Sequence, residues 1–235
     1  LSAMTTAQIR VLPTDGLNSL TTAQVNSMTT AQVATLTTDQ LSSWGTTQLM
    51  GLSSSQITAL TTAQVVALTT DQVGSLKATQ LAAMTTAQIA AMETDDFSYL
   101  STAQLAGLTT AQIAALTTSQ WSSLSTDSVS NLKNWQIAAM TTSQVAALST
   151  DQISSMKTAQ LASMGSALIA SITTDDLQAL STAQITSLGT DQITALTTAQ
   201  VVALTTDQVG SLKVTQLAAM TPAQLAAMET DDFSY

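Results

Sequence analysis

The sequence of 235 residues contains no cysteine and no histidine, and these absences remove several kinds of chemistry. Without cysteine there is no disulfide bond and no thiol nucleophile. Zinc sites built from Cys and His are excluded as well. A serine or threonine nucleophile would lack the imidazole that usually activates it. We therefore expect that the protein is not an enzyme.

Positive charge and aromatic side chains are also scarce. Five Lys and Arg residues face fifteen Asp and Glu residues, which gives a net charge of −10, and aromatic residues make up 3% of the chain. Nucleic acids and anionic membrane surfaces are bound through clusters of Lys and Arg. No apolar run reaches the roughly 18 residues that a membrane-spanning helix needs. We therefore expect neither nucleic-acid binding nor membrane insertion.

What the sequence does contain is a repeat of eight residues, seen clearly in LTTAQVVA at 60–67. Counted in eights from Met4 to Met228, the first position is apolar all 29 times, and the fifth is Gln in 23 of 29 octads. The sixth position is apolar at all 30 occurrences from Leu1 to Phe233. No linker interrupts the count, which predicts a single continuous octad-repeat solenoid over 1–235.

A long block of the array is also partly duplicated. Residues 60–99 recur as 196–235 with three changes in forty positions. The second copy begins seventeen whole octads after the first, so the duplication preserves the repeat register.

Each octad carries the signals of a helix start. Thr61 and Gln64 form the S/T-x-x-E/Q capping box, and the flanking Leu60 and Val65 form a hydrophobic staple. All acidic residues fall in the cap or the first turn, where the helix dipole favours negative charge. The pattern predicts an all-α solenoid with one capped helix of about five to seven residues per octad. Positions 1 and 6 should form its core.

Two alternatives compete with this fold. In one continuous helix, eight residues would rotate the apolar stripe by roughly 80° per octad, so no lasting seam would form. A β-solenoid fits the Thr pairs and remains the alternative, although 8 Gly are few for its corners.

Asp at position 4 recurs most often in every third octad, which predicts three octads per turn. The second octad, with Pro13 and Gly16, should be irregular.

Paired aspartates are the only candidate metal ligands, because carboxylate oxygens are what Ca²⁺ prefers. A role in first-turn capping explains the same residues, and no other cofactor is expected. The candidate calcium ligands are Asp95, Asp96, Asp175, Asp176, Asp231 and Asp232.

The aromatic residues divide into two groups by octad position. Trp44 and Trp121 fall at core positions. Trp135 at position 4 and Tyr99 at position 8 should be exposed, which makes them candidate partner contacts. The Thr pairs are a candidate surface for ice or a glycan, or for another surface ligand.

The recurring Leu-Thr-Thr-Ala-Gln octads resemble the short Thr-Ala-Gln repeat tracts of large bacterial surface and secreted proteins. That resemblance covers every octad and implies an extracellular or cell-surface location. The expected function is a structural repeat protein, a segment of a filament, stalk or adhesin. The alternative is a module that binds ice or glycans through Thr, or calcium through Asp. Apolar positions near both ends, at Leu1, Met4, Met228 and Phe233, predict end-to-end self-association.

Overall fold

The computed structural model describes residues 1–228, and each octad between Met4 and Ala227 forms one short α-helix that begins at octad position 3. No strand occurs within the described range. The all-α, helical-solenoid prediction is therefore confirmed over the β-solenoid. Contacts divide the chain into two compact units, Leu1–Ser123 and Leu124–Tyr235. A single continuous solenoid over 1–235 stays a prediction.

The helices of the first unit are α1 (Thr6–Arg10), α2 (Thr14–Asn18), α3 (Thr22–Asn26), α4 (Thr30–Thr35), α5 (Thr38–Ser42), α6 (Thr46–Met50), α7 (Ser54–Ala59), α8 (Thr62–Val66), α9 (Thr70–Ser75), α10 (Ala78–Ala83), α11 (Thr86–Ala91), α12 (Thr94–Ser98), α13 (Thr102–Leu105), α14 (Thr110–Ala115) and α15 (Thr118–Ser123).

The described helices of the second unit are α16 (Thr126–Ser130), α17 (Asn134–Ile137), α18 (Thr142–Val145), α19 (Thr150–Ser154), α20 (Thr158–Ser163), α21 (Ser166–Ala170), α22 (Thr174–Gln178), α23 (Thr182–Ser187), α24 (Thr190–Ala195), α25 (Thr198–Val202), α26 (Thr206–Gly210), α27 (Val214–Ala219) and α28 (Pro222–Ala227). Most helices in residues 1–228 have five or six residues, as predicted. The predicted length is wrong for α13, α17 and α18, which have only four.

Two extended residues make the corner between α7 and α8. Between α7 and α8, Leu60 has φ −59° and ψ 138°, and Thr61 has φ −74° and ψ 157°. The Thr61 hydroxyl accepts a hydrogen bond from the Gln64 N–H at 3.2 Å, which starts α8. A cap of this kind stabilises a helix by about 1 kcal/mol. Helices this short would not persist alone, so packing between octads must supply the rest.

The second octad is regular, and the prediction that it would be irregular is wrong. Pro13 serves as the N-cap of α2 with φ −65° and ψ 147°, the extended conformation that every cap in the array needs. Proline has no N–H, so this corner has no cap donor for a position-5 glutamine to bind. Gly16 at position 5 therefore leaves no cap group unpaired.

Helices three apart in the chain stack on one another within each unit. In the first unit α1 packs on α4, α4 on α7 and α7 on α10. In the second unit α16 packs on α19, and α19 on α22. One turn therefore contains three octads, as the aspartate spacing predicted.

The interior of each turn is built from the two apolar positions. From Met28 to Leu212, every residue at positions 1 and 6 is buried, including Trp44 and Trp121 as predicted. Position 5, which is usually Gln, is buried as well, and the octad pattern did not predict that. No helix within residues 1–228 is long and apolar enough to cross a membrane.

Position 8 lies against position 3 of the helix one turn below, and small residues make that approach possible. A Cβ on Gly107, which follows α13, would lie 3.0 Å from the Cβ of Ala78 in α10. A Cβ on Gly51, which follows α6, would lie 3.1 Å from the Cβ of Thr22 in α3. The abundance of Gly, Ala and Ser at position 8 follows from this close packing.

Two substitutions in one octad test these assignments. We expect Val65→Asp to lower the free energy of unfolding by about 4 kcal/mol, because it buries a charge without a partner. Ala63→Asp is the matched control, since Ala63 is exposed in the first turn. It should change stability by about 0.5 kcal/mol or less. Urea denaturation measures both, and equal losses would contradict the assigned faces.

Candidate functional site

The most frequent side-chain arrangement is a link made by the position-5 glutamine, which we call the glutamine bridge. In α8 the Oε1 atom of Gln64 accepts from the backbone N–H of Thr61 at 2.8 Å. The Nε2 atom of Gln64 donates to the carbonyl oxygens of Val33 at 3.0 Å and Leu36 at 2.8 Å, one turn below. One amide thus joins the start of a helix to the end of an earlier helix and its following corner.

The bridge has the same spacing in both units. Gln88 in α11 donates to residues 31 and 28 positions earlier in the first unit. Gln208 in α26 donates to residues at the same two offsets in the second unit. The bridging glutamines are buried: Gln64, for example, has only 2% of its surface exposed. A buried backbone group left without a partner costs about 1–3 kcal/mol, so the bridge of Gln64 prevents two such losses, at the Thr61 N–H and the Leu36 carbonyl.

The bridge works even where the cap residue has no hydroxyl. The cap N–H of Gly45 donates to the Oε1 of Gln48 at 3.0 Å. The cap N–H of Lys77 donates to the Oε1 of Gln80 at 2.9 Å. Glutamine is therefore the more essential half of the capping box. The sequence predicted that Gln would bond to its own helix cap, but it did not predict the bond to the turn below. The only signal for that bond was that position 5, next to the core position 6, is polar.

The structure separates the two members of each predicted calcium-binding pair. Asp95 and Asp175, at position 4, are both exposed. Asp96 and Asp176 occupy position 5, the place of the bridging glutamine, and are only 7% and 4% exposed. The third pair, Asp231 and Asp232, lies outside the described residues. In residues 1–228 no three acidic side chains come together in a group suited to a metal ion.

The two buried aspartates make a different link from that of glutamine. Asp96 accepts a hydrogen bond from the Thr70 hydroxyl at 2.5 Å, and Asp176 accepts one from the Thr150 hydroxyl at 2.7 Å. Each of these threonines is at position 3 of the helix one turn below. Asp176 also accepts from the hydroxyl of its own cap, Thr173, at 2.6 Å. Aspartate thus keeps a bond between turns but supplies no donor to the carbonyl groups below.

The two aromatic contact candidates are exposed, as predicted. Trp135 in α17 is 43% exposed, and the Lys133 Nζ lies 5.6 Å from the centre of its ring. A cation–π contact of this kind contributes about 0.5–1 kcal/mol at an exposed site. Tyr99, which follows α12, is 69% exposed. They lie in different units, and their role in binding a partner stays a prediction.

The predicted hydroxyl array is partly used inside the protein. The first threonine of a pair caps its helix, as Thr61 does by accepting from the Gln64 N–H. Two threonines at position 3, Thr70 and Thr150, bind the buried aspartates. These hydroxyls therefore have internal partners before any ice or glycan surface is considered.

A pair of Gln→Ala substitutions measures the bond between turns. Gln64→Ala removes the cap acceptor and both donors, and we expect a loss of about 3 kcal/mol. Gln8 is the matched control: it is exposed, and among the described residues it bonds only to Thr5. Gln8→Ala should cost about 0.5–1 kcal/mol, the value of a cap alone. Equal losses in thermal and urea unfolding would show that the bonds between turns contribute nothing.

Comparison with known proteins identifies the repeat. The sequence profile of the ALTTAQ repeat matches residues 1–30, 45–78, 89–126, 129–158 and 169–206. No curated protein matches the chain. In this chain the motif Ala-Leu-Thr-Thr-Ala-Gln begins at the last position of one octad and continues with the corner Leu and the cap Thr of the next. It ends in the first helical turn at the bridging glutamine. Because the matched segments cover more than half of its length, the chain belongs to the ALTTAQ repeat family.

Proposed function

We propose that the protein is a non-catalytic structural spacer, a segment of an extracellular filament, stalk or adhesin whose length is set by its number of octads. The observation that carries this proposal is the glutamine bridge. It recurs with the same offsets of 31 and 28 residues in both units. An octad with such a glutamine therefore brings its own links to the turn below.

Such an arrangement suits a spacer because its contacts are local. A helix packs on the helices three positions away, as α4 packs on α1 and α7, and its glutamine reaches the end of the helix four positions back, as Gln64 in α8 reaches Val33 in α4. In repeat proteins of this kind, added units contribute stability through neighbour contacts and leave the other units unchanged. Length can therefore vary between related arrays without any redesign of the interior.

The surface favours a scaffold over a broad binding face. The exposed positions 2, 3, 4 and 7 are mostly Thr, Ser, Ala and Asp, with a net charge of −10 over the whole chain. A net negative charge opposes side-by-side association through self-repulsion.

Location and self-association have their own tests. The Ser- and Thr-rich repeat composition and the likeness to bacterial surface repeats support an extracellular position. Protease added to intact cells should degrade the protein, and protection of the protein until lysis would contradict that position. Light scattering over a range of concentrations should show end-to-end growth, and a constant mass would contradict it.

Insertion of one extra turn tests the spacer proposal. A second copy of residues 60–83 placed after Ala83 should fold as one more turn of the first unit. Packed helices lie about 8–10 Å apart, so the longest dimension should grow by about that amount. Small-angle X-ray scattering measures the length, and urea unfolding should show no loss of stability.

The matched control is the same insertion with Ala in place of its three bridging glutamines, the copies of Gln64, Gln72 and Gln80. It has the same length of chain but lacks the bonds to the turn below. We expect the control to lose stability and to scatter as a looser particle. If the two insertions behave alike, or if neither lengthens the protein, the number of octads does not set its length.

A further inference from the structure

We propose that Asp96 and Asp176 each form one side of a site for a hard, oxygen-liganded cation, located where other octads place the glutamine Nε2. This site consists of one buried carboxylate and backbone carbonyl groups of the turn below. It differs from a site made by the adjacent aspartate pair, because Asp95 and Asp175 remain accessible on the outer side of their helices.

In the aspartate octads, carbonyl groups of the turn below lose their amide donor. In the glutamine octads the bridging amide donates to the carbonyl groups 31 and 28 residues earlier. For position 96 these carbonyl groups belong to Val65 and Leu68. Val65 still has a partner, since its carbonyl accepts from the Leu68 N–H at 3.2 Å. Leu68 is buried, and its carbonyl accepts no hydrogen bond from residues 1–228. The equivalent carbonyl groups for Asp176 are those of Val145 and Leu148.

The carboxylates of Asp96 and Asp176 differ from the glutamine amide in the bonds they can make. An ionised carboxylate accepts hydrogen bonds but donates none, so it cannot take over the role of the amide. In Asp96 one oxygen accepts from the Thr70 hydroxyl, and the other has no hydrogen-bond partner in the part of the chain that is described. Asp176 is bonded to two hydroxyls, and neither carboxylate receives a hydrogen bond from a described Lys or Arg. Buried charge of this kind requires compensation.

The groups around each buried aspartate match the ligand preferences of a hard cation. A carboxylate, main-chain carbonyl oxygens and a threonine hydroxyl form the donor set that Na⁺, K⁺ and Ca²⁺ prefer over softer metals. Aspartate is one methylene shorter than glutamine, so its oxygens stop short of the point that the Nε2 reaches. A cation at that point would contact the carbonyl oxygens and neutralise the carboxylate together. It would restore the link between turns that the substitution removes.

The chain contains a natural comparison for this site. Leu168 also occupies position 5, and it is buried. The carbonyl that would have received its bridge belongs to Met140, which accepts no hydrogen bond from the described residues. No charge accompanies this loss, because the side chain is apolar. Loss of the amide alone therefore needs no cation, and the proposal is confined to the aspartate octads.

The test uses the full chain and the melting temperature at constant ionic strength. Choline chloride is replaced stepwise by NaCl, KCl or CaCl₂ in three separate titrations. Comparison of the three titrations identifies which ion binds. We expect the melting temperature to rise and then saturate with at least one of the three, because an ion that binds only the folded state stabilises it. The variant D96Q/D176Q restores the common residue and should fold. It should melt higher in choline and lose more than half of the rise.

The control variant D95N/D175N removes the same number of charges from the outer positions and should keep the full rise. Absence of any rise above choline would overturn the proposal, as would a rise that survives unchanged in D96Q/D176Q. A rise lost equally in both variants would also overturn it, because that result indicates general screening. In those cases the buried carboxylates are compensated without a bound cation. None of these outcomes bears on whether octad number sets the length.

Discussion

The glutamine amide is the interaction on which the rest of the array depends. It has one carbonyl oxygen and two amide hydrogens, and its site presents one cap N–H and two carbonyl groups, as at Gln64. Asparagine would be too short to reach the lower turn, and glutamate would lack the donors. The amide also donates to carbonyl groups 31 and 28 residues earlier in the chain, and so it links each turn of three octads to the turn below. A single side chain thus caps its helix and bonds it to the turn below.

Much of this fold could be predicted because the octad is a local code. Thr61 and Gln64 specify a helix start within four residues, and the burial of Leu60 and Val65 follows from the period. The far half of the bridge could not be predicted in the same way. Its acceptors are backbone carbonyl groups, as at Val33, which every residue possesses. No feature of the side-chain pattern marks them, and only the arrangement of the turns brings them within reach.

The candidate site shows the same division between local and long-range information. Sequence reasoning grouped Asp175 with Asp176 because they are adjacent in the chain. Adjacent residues on a helix are separated by about 100° and do not face each other, so one is exposed and the other is buried. The informative signal was the octad position of Asp176, where glutamine is the rule. Its threonine partner, Thr150, lies one turn below and could be identified only after the turn was known to contain three octads.

In an array of nearly equivalent units, specific chemistry is confined to the octads that depart from the rule. Gly16, Ser128, Leu168 and the two buried aspartates all lack the bridging amide, but they do so in different ways. Pro13 removes the need for a cap acceptor at Gly16, and Leu168 fills its place with apolar surface. Asp96 and Asp176 instead introduce a charge into the interior, which costs more than either alternative. Such a residue is tolerated where something in the folded protein compensates it, and for this reason the aspartate octads are the places in the array where a ligand is to be sought.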